Sequence, residues 1–441
     1  MSFIKKILNS TTPQLNILLG FLVYVLIGFV LLALPFMQKV DVPLLDSLFI
    51  STSALSTTGL VTISVFDSYN FAGQFVVMCL FQIGGIGYMT LTTYFLLKTT
   101  RTISKWHSKI IGAEFTMPKT INIRDFLKSV IIFTIVMEVL GAIVFFIAFK
   151  QEGMETMSSI WSSVFHSVSA FCTAGFSLNN DSFMMFKDNA LVNVTISVLA
   201  ISGSLGFIVS TDLWNRITGK SKKITFTTKM IFYSFIILLS VGTIIIYFSE
   251  PATHLNGERS LLTSFFQTMT AMTTVGFNTI DMGALSKPII MLLIFLMYLG
   301  ASPSGTAGGM KITTLIAMIS ILWSRLTGKK KIHFMKRKIP FERLYVATST
   351  FILYTSLVFF MTFLLCFIEP HSLDKILFEV ASALGTVGLS TGITGDLSEL
   401  GKIIITLIMF IGRVGVLTFG FALLSRKIQE DQDLIEDDLA V

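Results

Sequence analysis

One short phrase occurs four times along this chain: Thr57-Thr58-Gly59-Leu60, Thr173-Ala174-Gly175-Phe176, Thr274-Val275-Gly276-Phe277 and Thr386-Val387-Gly388-Leu389. Each copy lies between two stretches apolar enough to cross a bilayer. A second short segment precedes each copy at a constant offset from its glycine: Ser53-Ala54-Leu55, Ser169-Ala170-Phe171, Thr270-Ala271-Met272 and Ser382-Ala383-Leu384. A single Thr-x-Gly carries no weight, because glycine after a polar pair is common in loops. Four at matched positions define a repeat, and four matching turns can close a ring. The competing explanation is that the glycines only let helices pack closely, as small residues do in membranes. It does not explain why each glycine follows a segment of half-membrane length.

Composition narrows the class. With 53% hydrophobic residues, 41 Phe and only 13% charged residues, the balance excludes a water-soluble domain and specifies an integral membrane protein. Gln14 to Phe36 is a mostly apolar run; as a helix it spans roughly 34 Å, enough for a hydrocarbon core of about 30 Å. It lacks the short apolar core and small-residue cleavage site of a signal peptide, so it is expected to be retained. Cys79, Cys172 and Cys366 show no paired spacing, and the five histidines are scattered, so neither set reads as a metal centre or disulfide framework.

Apolar runs of membrane length predict first helices near 14–36, 126–149, 228–248 and 345–368, and second helices near 73–97, 192–214, 288–323 and 400–425. Between the members of each pair lies a segment too short to cross, at about 45–57, 158–173, 260–274 and 374–386. It reads as a half-length helix that enters the membrane and turns back. The expected fold is an all-α integral membrane protein of four pseudo-repeats, each span, re-entrant pore helix, filter loop and span. Eight transmembrane helices thus surround one central pore. The repeats run over residues 14–98, 124–216, 226–325 and 343–426, followed by an acidic cytosolic tail at 427–441.

Charge placement fixes the orientation. Of 33 basic residues, only Lys39, Lys150, Lys187, Arg259, Lys287, Lys375 and Lys402 fall on the side where the short segments enter. The excess, including Lys5, Lys6, Lys98, Arg101, Lys222, Lys223, Lys329 and Lys330, falls on the other side, which is therefore cytosolic and holds both termini. The net charge of +7 follows from this bias, with no nucleic-acid partner implied. The densest basic stretch, 325–343, reads as a topology signal or as a surface for anionic membrane lipids or a cytosolic partner.

A re-entrant helix aims its C-terminal carbonyls, the negative end of its dipole, at the bilayer centre, and four of them favour a cation there. Beyond each helix the glycine supplies backbone angles that other residues avoid. Backbone carbonyls, with a threonine hydroxyl one step deeper, can then replace the hydration shell of a monovalent cation. The expected ion-binding residues are Thr57, Thr58, Gly59, Thr173, Ala174, Gly175, Thr274, Val275, Gly276, Thr386, Val387 and Gly388.

With these phrases, and with Gln82-Ile83-Gly84-Gly85-Ile86-Gly87, Phe165-His166-Ser167-Val168-Ser169-Ala170-Phe171 and Ile411-Gly412-Arg413-Val414-Gly415, the chain resembles the Trk/Ktr/HKT superfamily of potassium transporters. Within it the chain is most similar to the KtrB type of membrane subunit of the bacterial Ktr potassium uptake system, because it begins almost at its first span. The resemblance implies K+ as the transported ion, and glycine rather than serine at all four filter positions favours potassium over sodium. It also implies a homodimer in the bacterial cytoplasmic membrane, mounted on a cytosolic KtrA-like ring that binds ATP and ADP. Na+ is implied as an activator in many members. A sodium-selective or non-selective cation transporter of the same fold is the alternative.

The second helix of the third repeat contains Gly300, Ala301, Ser302, Pro303, Ser304, Gly305, Thr306, Ala307, Gly308 and Gly309, which cannot sustain a membrane helix. A break there is expected to line the cavity below the filter, since irregular backbone at membrane depth needs protein or water around it. The resemblance places an intramembrane gate at this position. Lys311 follows the break, Arg413 lies in the last span, and Glu138 is the one acid expected inside a span. Charges there are costly unless paired. Arg413 is expected below the filter, either paired with carbonyls of the broken stretch or limiting cation throughput electrostatically. Glu138 is expected to serve as a structural partner for a basic residue or a hydroxyl. His166 is expected to pack and hydrogen-bond within the second re-entrant helix. No nucleophile, base or metal set converges in the membrane, so no enzymatic activity is expected. Gly219-Lys220-Ser221 lacks the upstream glycine of a phosphate-binding loop.

Overall fold

The computed structural model describes residues 13–87, 90, 123–219, 223–255, 258–300, 302–329, 331–335 and 337–424. The acidic tail, Ala301, and the expected continuation of the first repeat's second span to residue 97 lie outside them.

The elements recur in the order long helix, short helix, turn, second helix. The long helices are α1 (Pro13–Leu32), α4 (Ile123–Gln151), α8 (Phe226–Ser249) and α12 (Phe341–Ile368). Each is apolar and long enough to cross a membrane. They keep an exposed apolar face, for example Phe359, Phe363 and Phe367 on α12, which suits contact with lipid. The short helices are α2 (Leu44–Leu55), α5 (Thr156–Phe171), α9 (Leu261–Thr273) and α13 (Leu373–Gly385). At 12 to 16 residues they reach only part-way through a bilayer. Their C-terminal halves are buried on every side.

Packing runs in a closed cycle. The second helices begin with α3 (Phe71–Ile86), α6 (Ala190–Ser204), α10 (Lys287–Tyr298) and α14 (Glu399–Val414). Each packs on the short helix of the next repeat, α3 on α5, α6 on α9 and α10 on α13, and α14 returns to α2. An ion pair between Lys402 on α14 and Asp46 on α2, at 2.7 Å, closes this last contact between the ends of the chain.

The end of each first helix is tied to the start of its second. Asn70 donates to the carbonyl of Phe36, and Asn189 to Glu152. Glu250 accepts from Ser286, and Glu369 from Ser398. The last two carboxylates are buried and receive both a backbone N–H and a hydroxyl, which offsets their removal from water.

The sequence predicts continuous second helices in the second and fourth repeats, and both are broken. Residues 190–217 form α6 and α7 (Gly206–Ile217), bent by 95°. Residues 399–424 form α14 and α15 (Val416–Leu424), bent by 97°. In the first repeat α3 stops at Gly87, whose φ of 89° and ψ of 122° match those of Gly415, 89° and 129°. The shared cause is a Gly-x-x-Gly spacing: Gly84 and Gly87, Gly203 and Gly206, Gly412 and Gly415. The first glycine lets the helix touch a carbonyl at the end of a short helix, of Leu55, Phe171 or Leu384. The second takes a left-handed φ that ends the helix. Among the described residues, the third repeat alone breaks through a long irregular stretch, between α10 and α11 (Ile312–Leu326).

Candidate functional site

The four repeated glycines meet at the centre of the cycle. A Cβ added at Gly59 would lie 2.4 Å from the carbonyl oxygen of Ala174; at Gly175, 2.6 Å from that of Val275; at Gly276, 2.0 Å from that of Val387; at Gly388, 2.2 Å from that of Thr58. Each segment therefore rests against the next and the fourth against the first, a ring closed by backbone alone. No side chain fits at any of these positions.

The backbone that builds the ring is unusual. Thr57, Thr173, Thr274 and Thr386 have φ of 53°, 51°, 57° and 49°, and the glycines two residues later have φ of 90°, 69°, 78° and 91°. A β-branched residue in the left-handed region costs of order 1–2 kcal/mol. Four such residues at one register mark a conformation imposed by the surroundings, as at functional sites.

The upstream segments explain its stability. Ser53, Ser169 and Thr270 donate their hydroxyls to the carbonyls of Leu60, Phe176 and Phe277, at 2.7, 2.8 and 2.7 Å. The amides of Gly59 and Gly388 donate to the hydroxyls of Ser53 and Ser382, both at 3.1 Å. These hydroxyls fasten the outgoing strand of the turn to the helix behind it. The sequence shows their fixed offset, but the role needs the structure.

All four glycines line one cavity of about 440 Å³, together with Ser64, Asn179, Asp281, Ser390 and Thr394. On the opposite side lies a cavity of about 220 Å³ lined by Ser304, Gly305, Ala307, Gly308, Gly309, Lys311 and Arg413, with Gly84, Gly87, Gly412 and Gly415. Between the two sit the threonine hydroxyls. Those of Thr57, Thr274 and Thr386 are buried without a hydrogen-bond partner. That of Thr173 donates to the carbonyl of Cys172 and contacts the Thr306 hydroxyl at 3.0 Å. Unpaired buried hydroxyls are costly unless something else binds them.

The irregular stretch of the third repeat runs directly beneath. Leu299–Gly300 pairs in parallel with Met310–Lys311, closing it into a loop. The loop docks into the break of the second repeat: Ser302 N–H donates to Ser204 O, Thr306 N–H to Gly203 O, and Phe207 N–H to Ser304 O. The groups freed by one broken helix thus satisfy those of the other, the condition for irregular backbone at membrane depth. Gly308 lies against the Thr386 hydroxyl. The loop therefore spans the ring from the threonine of the second repeat to that of the fourth.

Lys311 Nζ donates to the carbonyls of Ala307, at 2.5 Å, and Gly308, at 3.2 Å. Arg413 donates to the carbonyl of Thr306 on the loop and to that of Gly84 on α3. One guanidinium of the fourth repeat thus binds the third repeat to the first. Glu138 stands behind the second repeat's turn, where it accepts from Gln82 Nε2 at 3.0 Å, and the Cys172 thiol donates to Gln82 Oε1 at 3.1 Å. The thiol also lies 3.9 Å from Glu138 Oε1, so the carboxylate's side-chain partners are an amide and a thiol rather than the base or hydroxyl expected from sequence. His166 contacts Ser162 through Nδ1, while Nε2 accepts from the Leu178 N–H at 3.1 Å, so it braces its own loop. Glu379, on α13, is fully buried; the sequence does not single it out, because it lies outside the long apolar runs.

The model of a family described as cation transport protein, TrkH, matches residues 26–437. The chain belongs to the TrkH family of cation transport proteins. It is 34% identical over 415 residues to Ktr system potassium uptake protein B of Vibrio alginolyticus, covering 92% of this chain and 90% of that one. It is 33% identical over 432 residues to potassium/sodium uptake protein NtpJ of Enterococcus hirae, covering 95% and 94%. The crystal structure of the potassium transporter TrkH from Vibrio parahaemolyticus superimposes with a TM-score of 0.71 at 21% identity, covering 92% of this chain and 84% of that one. This TrkH-family chain is thus an integral membrane protein and a transporter, not an enzyme, with the TrkH fold.

Proposed function

We propose that the chain takes up potassium through the glycine ring, and that the loop of the third repeat gates the path from the cytosolic side. The observation that carries this reading is the closed cycle in which each carbonyl before a glycine rests against the preceding repeat's glycine, and that of the first repeat against the fourth's. An ion arriving from the larger cavity exchanges water for the carbonyls of Thr58, Ala174, Val275 and Val387 and then meets the threonine hydroxyls. Nothing in the ring carries a formal charge, so the ion can leave as well as bind. The helix ends aimed at it supply the cation preference.

In this reading the larger cavity faces outward, both termini are cytosolic, and eight crossings surround the ring when each broken helix is counted once. The loop through Gly300, Ser302, Pro303, Ser304, Gly305, Thr306, Ala307, Gly308 and Gly309 blocks passage while Lys311 and Arg413 hold its carbonyls. Its release requires a push from outside the membrane. The name of the Vibrio alginolyticus relative, a component of a Ktr system, supports a partner subunit as the source. A homodimer on a cytosolic ring that switches with ATP and ADP, with Na+ as activator, fits that role.

The name of the Enterococcus hirae relative favours a second reading in which sodium also passes. Uptake of potassium, rubidium and sodium by reconstituted protein separates the two. Gly59→Ser and Gly388→Asp are expected to lower potassium discrimination or flux while the protein still assembles. Normal potassium uptake in both would contradict the proposal.

A further inference from the structure

Nine residues before each filter glycine the short helices carry four different side chains: Ile50, His166, Gln267 and Glu379. All four are buried. Three of them reach the polypeptide leaving their own turn. His166 Nε2 accepts from Leu178 N–H, and Gln267 Nε2 donates to the Thr279 hydroxyl at 2.8 Å. Glu379 accepts from the hydroxyls of Ser390, at 2.8 Å, and Thr394. Ile50 has no polar atom to offer. The ring of near-identical backbone is therefore supported at this position by three unlike polar braces and one apolar side chain.

The brace of the fourth repeat differs in kind. Ser390 also accepts from the amide of Gly392, at 3.0 Å, and its hydroxyl oxygen lies 2.9 Å from that of Thr394. One carboxylate thus holds the outgoing segment at Ser390 and Thr394 and, through Ser390, at Gly392. Ser390 and Thr394 line the larger cavity with Gly388 itself. Both carboxylate oxygens are used, and hydrogen bonds to a carboxylate are roughly twice as strong as those between neutral groups. A neutral amide here would accept at one atom only and turn an N–H toward a hydroxyl that now donates.

We propose that Glu379 is a positioning residue for ion discrimination: it fixes the fourth filter segment, so that the spacing of the Val387 carbonyl against Gly276 depends on this carboxylate. The proposal rests on the filter reading above. It places the strictest control of spacing in the fourth repeat and the loosest in the first, where Ile50 offers no polar brace and the hydroxyls of Ser53 and Ser56 reach the turn. Selectivity among alkali cations responds to small changes in carbonyl spacing and flexibility. A brace of this kind should therefore affect discrimination more than capacity.

The test is uptake of rubidium and sodium by full-length protein in liposomes, comparing wild type with Glu379→Gln, Glu379→Leu, Ser390→Ala and Thr394→Val. Glu379→Leu is expected to reduce the rubidium-to-sodium ratio roughly tenfold, given the strength of charge-assisted bonds, and Glu379→Gln less. Ser390→Ala and Thr394→Val should each reduce it severalfold and add little when combined with Glu379→Leu. These two milder variants keep the test open if Glu379→Leu does not fold. Gln267→Leu is expected to change the ratio less than Glu379→Leu.

A structural role alone would lower the amount of folded protein and leave the ratio of the folded fraction unchanged. An unchanged ratio in folded Ser390→Ala and Thr394→Val, with a selective wild type, would overturn this inference and leave the filter reading intact. A wild type without discrimination would overturn both.

Discussion

The two halves of the pathway are built on opposite principles. At the glycine ring four repeats adopt one conformation, down to left-handed threonines whose φ values differ by only a few degrees. Beneath it, the second helix breaks at a glycine in the second and fourth repeats and ends at one in the first, whereas in the third it gives way to an irregular loop. The ring leaves no room for a Cβ, whereas Gly415 has nothing closer than Thr418 Oγ1 at 3.8 Å. Symmetry is kept where a spherical ion is to be surrounded. It is given up where one element must differ from the rest in order to move.

The contrast is open to direct attack. Gly276→Ala forces a Cβ onto backbone 2.0 Å away that cannot yield, and is expected to lower potassium uptake on the order of a hundredfold. Gly309→Ala in the loop, where the nearest atom is 3.1 Å away, should stay within a few-fold of wild type despite its positive φ. Growth of a potassium-uptake-deficient strain at low external potassium ranks the two, and the reverse order would break the comparison.

Next in size is Arg413→Ala. It removes two charge-assisted bonds that tie the loop to α3. Stability should fall by about 2 kcal/mol, while potassium flux rises severalfold because the loop is no longer held. Thermal unfolding and flux on the same preparation read both, and a lower flux in folded protein would argue against a restraining role.

Gly415→Ala has space for its methyl and is opposed only by a φ of 89°. A stability loss of about 1 kcal/mol with unchanged selectivity is expected. The smallest effect belongs to Asp46→Asn, which removes the charge paired with Lys402. The pair is largely buried, but the asparagine oxygen can still accept from Lys402, so a loss below about 1 kcal/mol is expected, measurable as a small shift in unfolding temperature.

Much of this molecule is legible in its sequence. The repeated Thr-x-Gly phrases and the half-length segments before them predict short helices at 45–57 and 374–386, and the structure has them at Leu44–Leu55 and Leu373–Gly385. The break in the third repeat is equally plain, because ten consecutive small or hydroxyl-bearing residues cannot hold a membrane helix. The breaks at Gly206 and Gly415 are hidden, because hydrophobicity runs through them without interruption. A single glycine inside such a run looks like a packing site. The Gly-x-x-Gly spacing shared by three repeats is the signal that would have exposed them. The partners of Glu138 and Glu379 were not legible at all. Gln82 and Cys172 reach Glu138 from two other elements, and the offset linking Glu379 to His166 and Gln267 gains meaning only once all three are seen facing their own loops.

The central claim is that four backbone segments surround a cation. Density for rubidium, determined at high resolution in protein prepared in rubidium chloride, tests it most directly. The account predicts a peak on the axis of the ring, near the carbonyl oxygens of Thr58, Ala174, Val275 and Val387, that weakens when sodium replaces rubidium. An axis without density, or rubidium bound away from these four carbonyls, would contradict it.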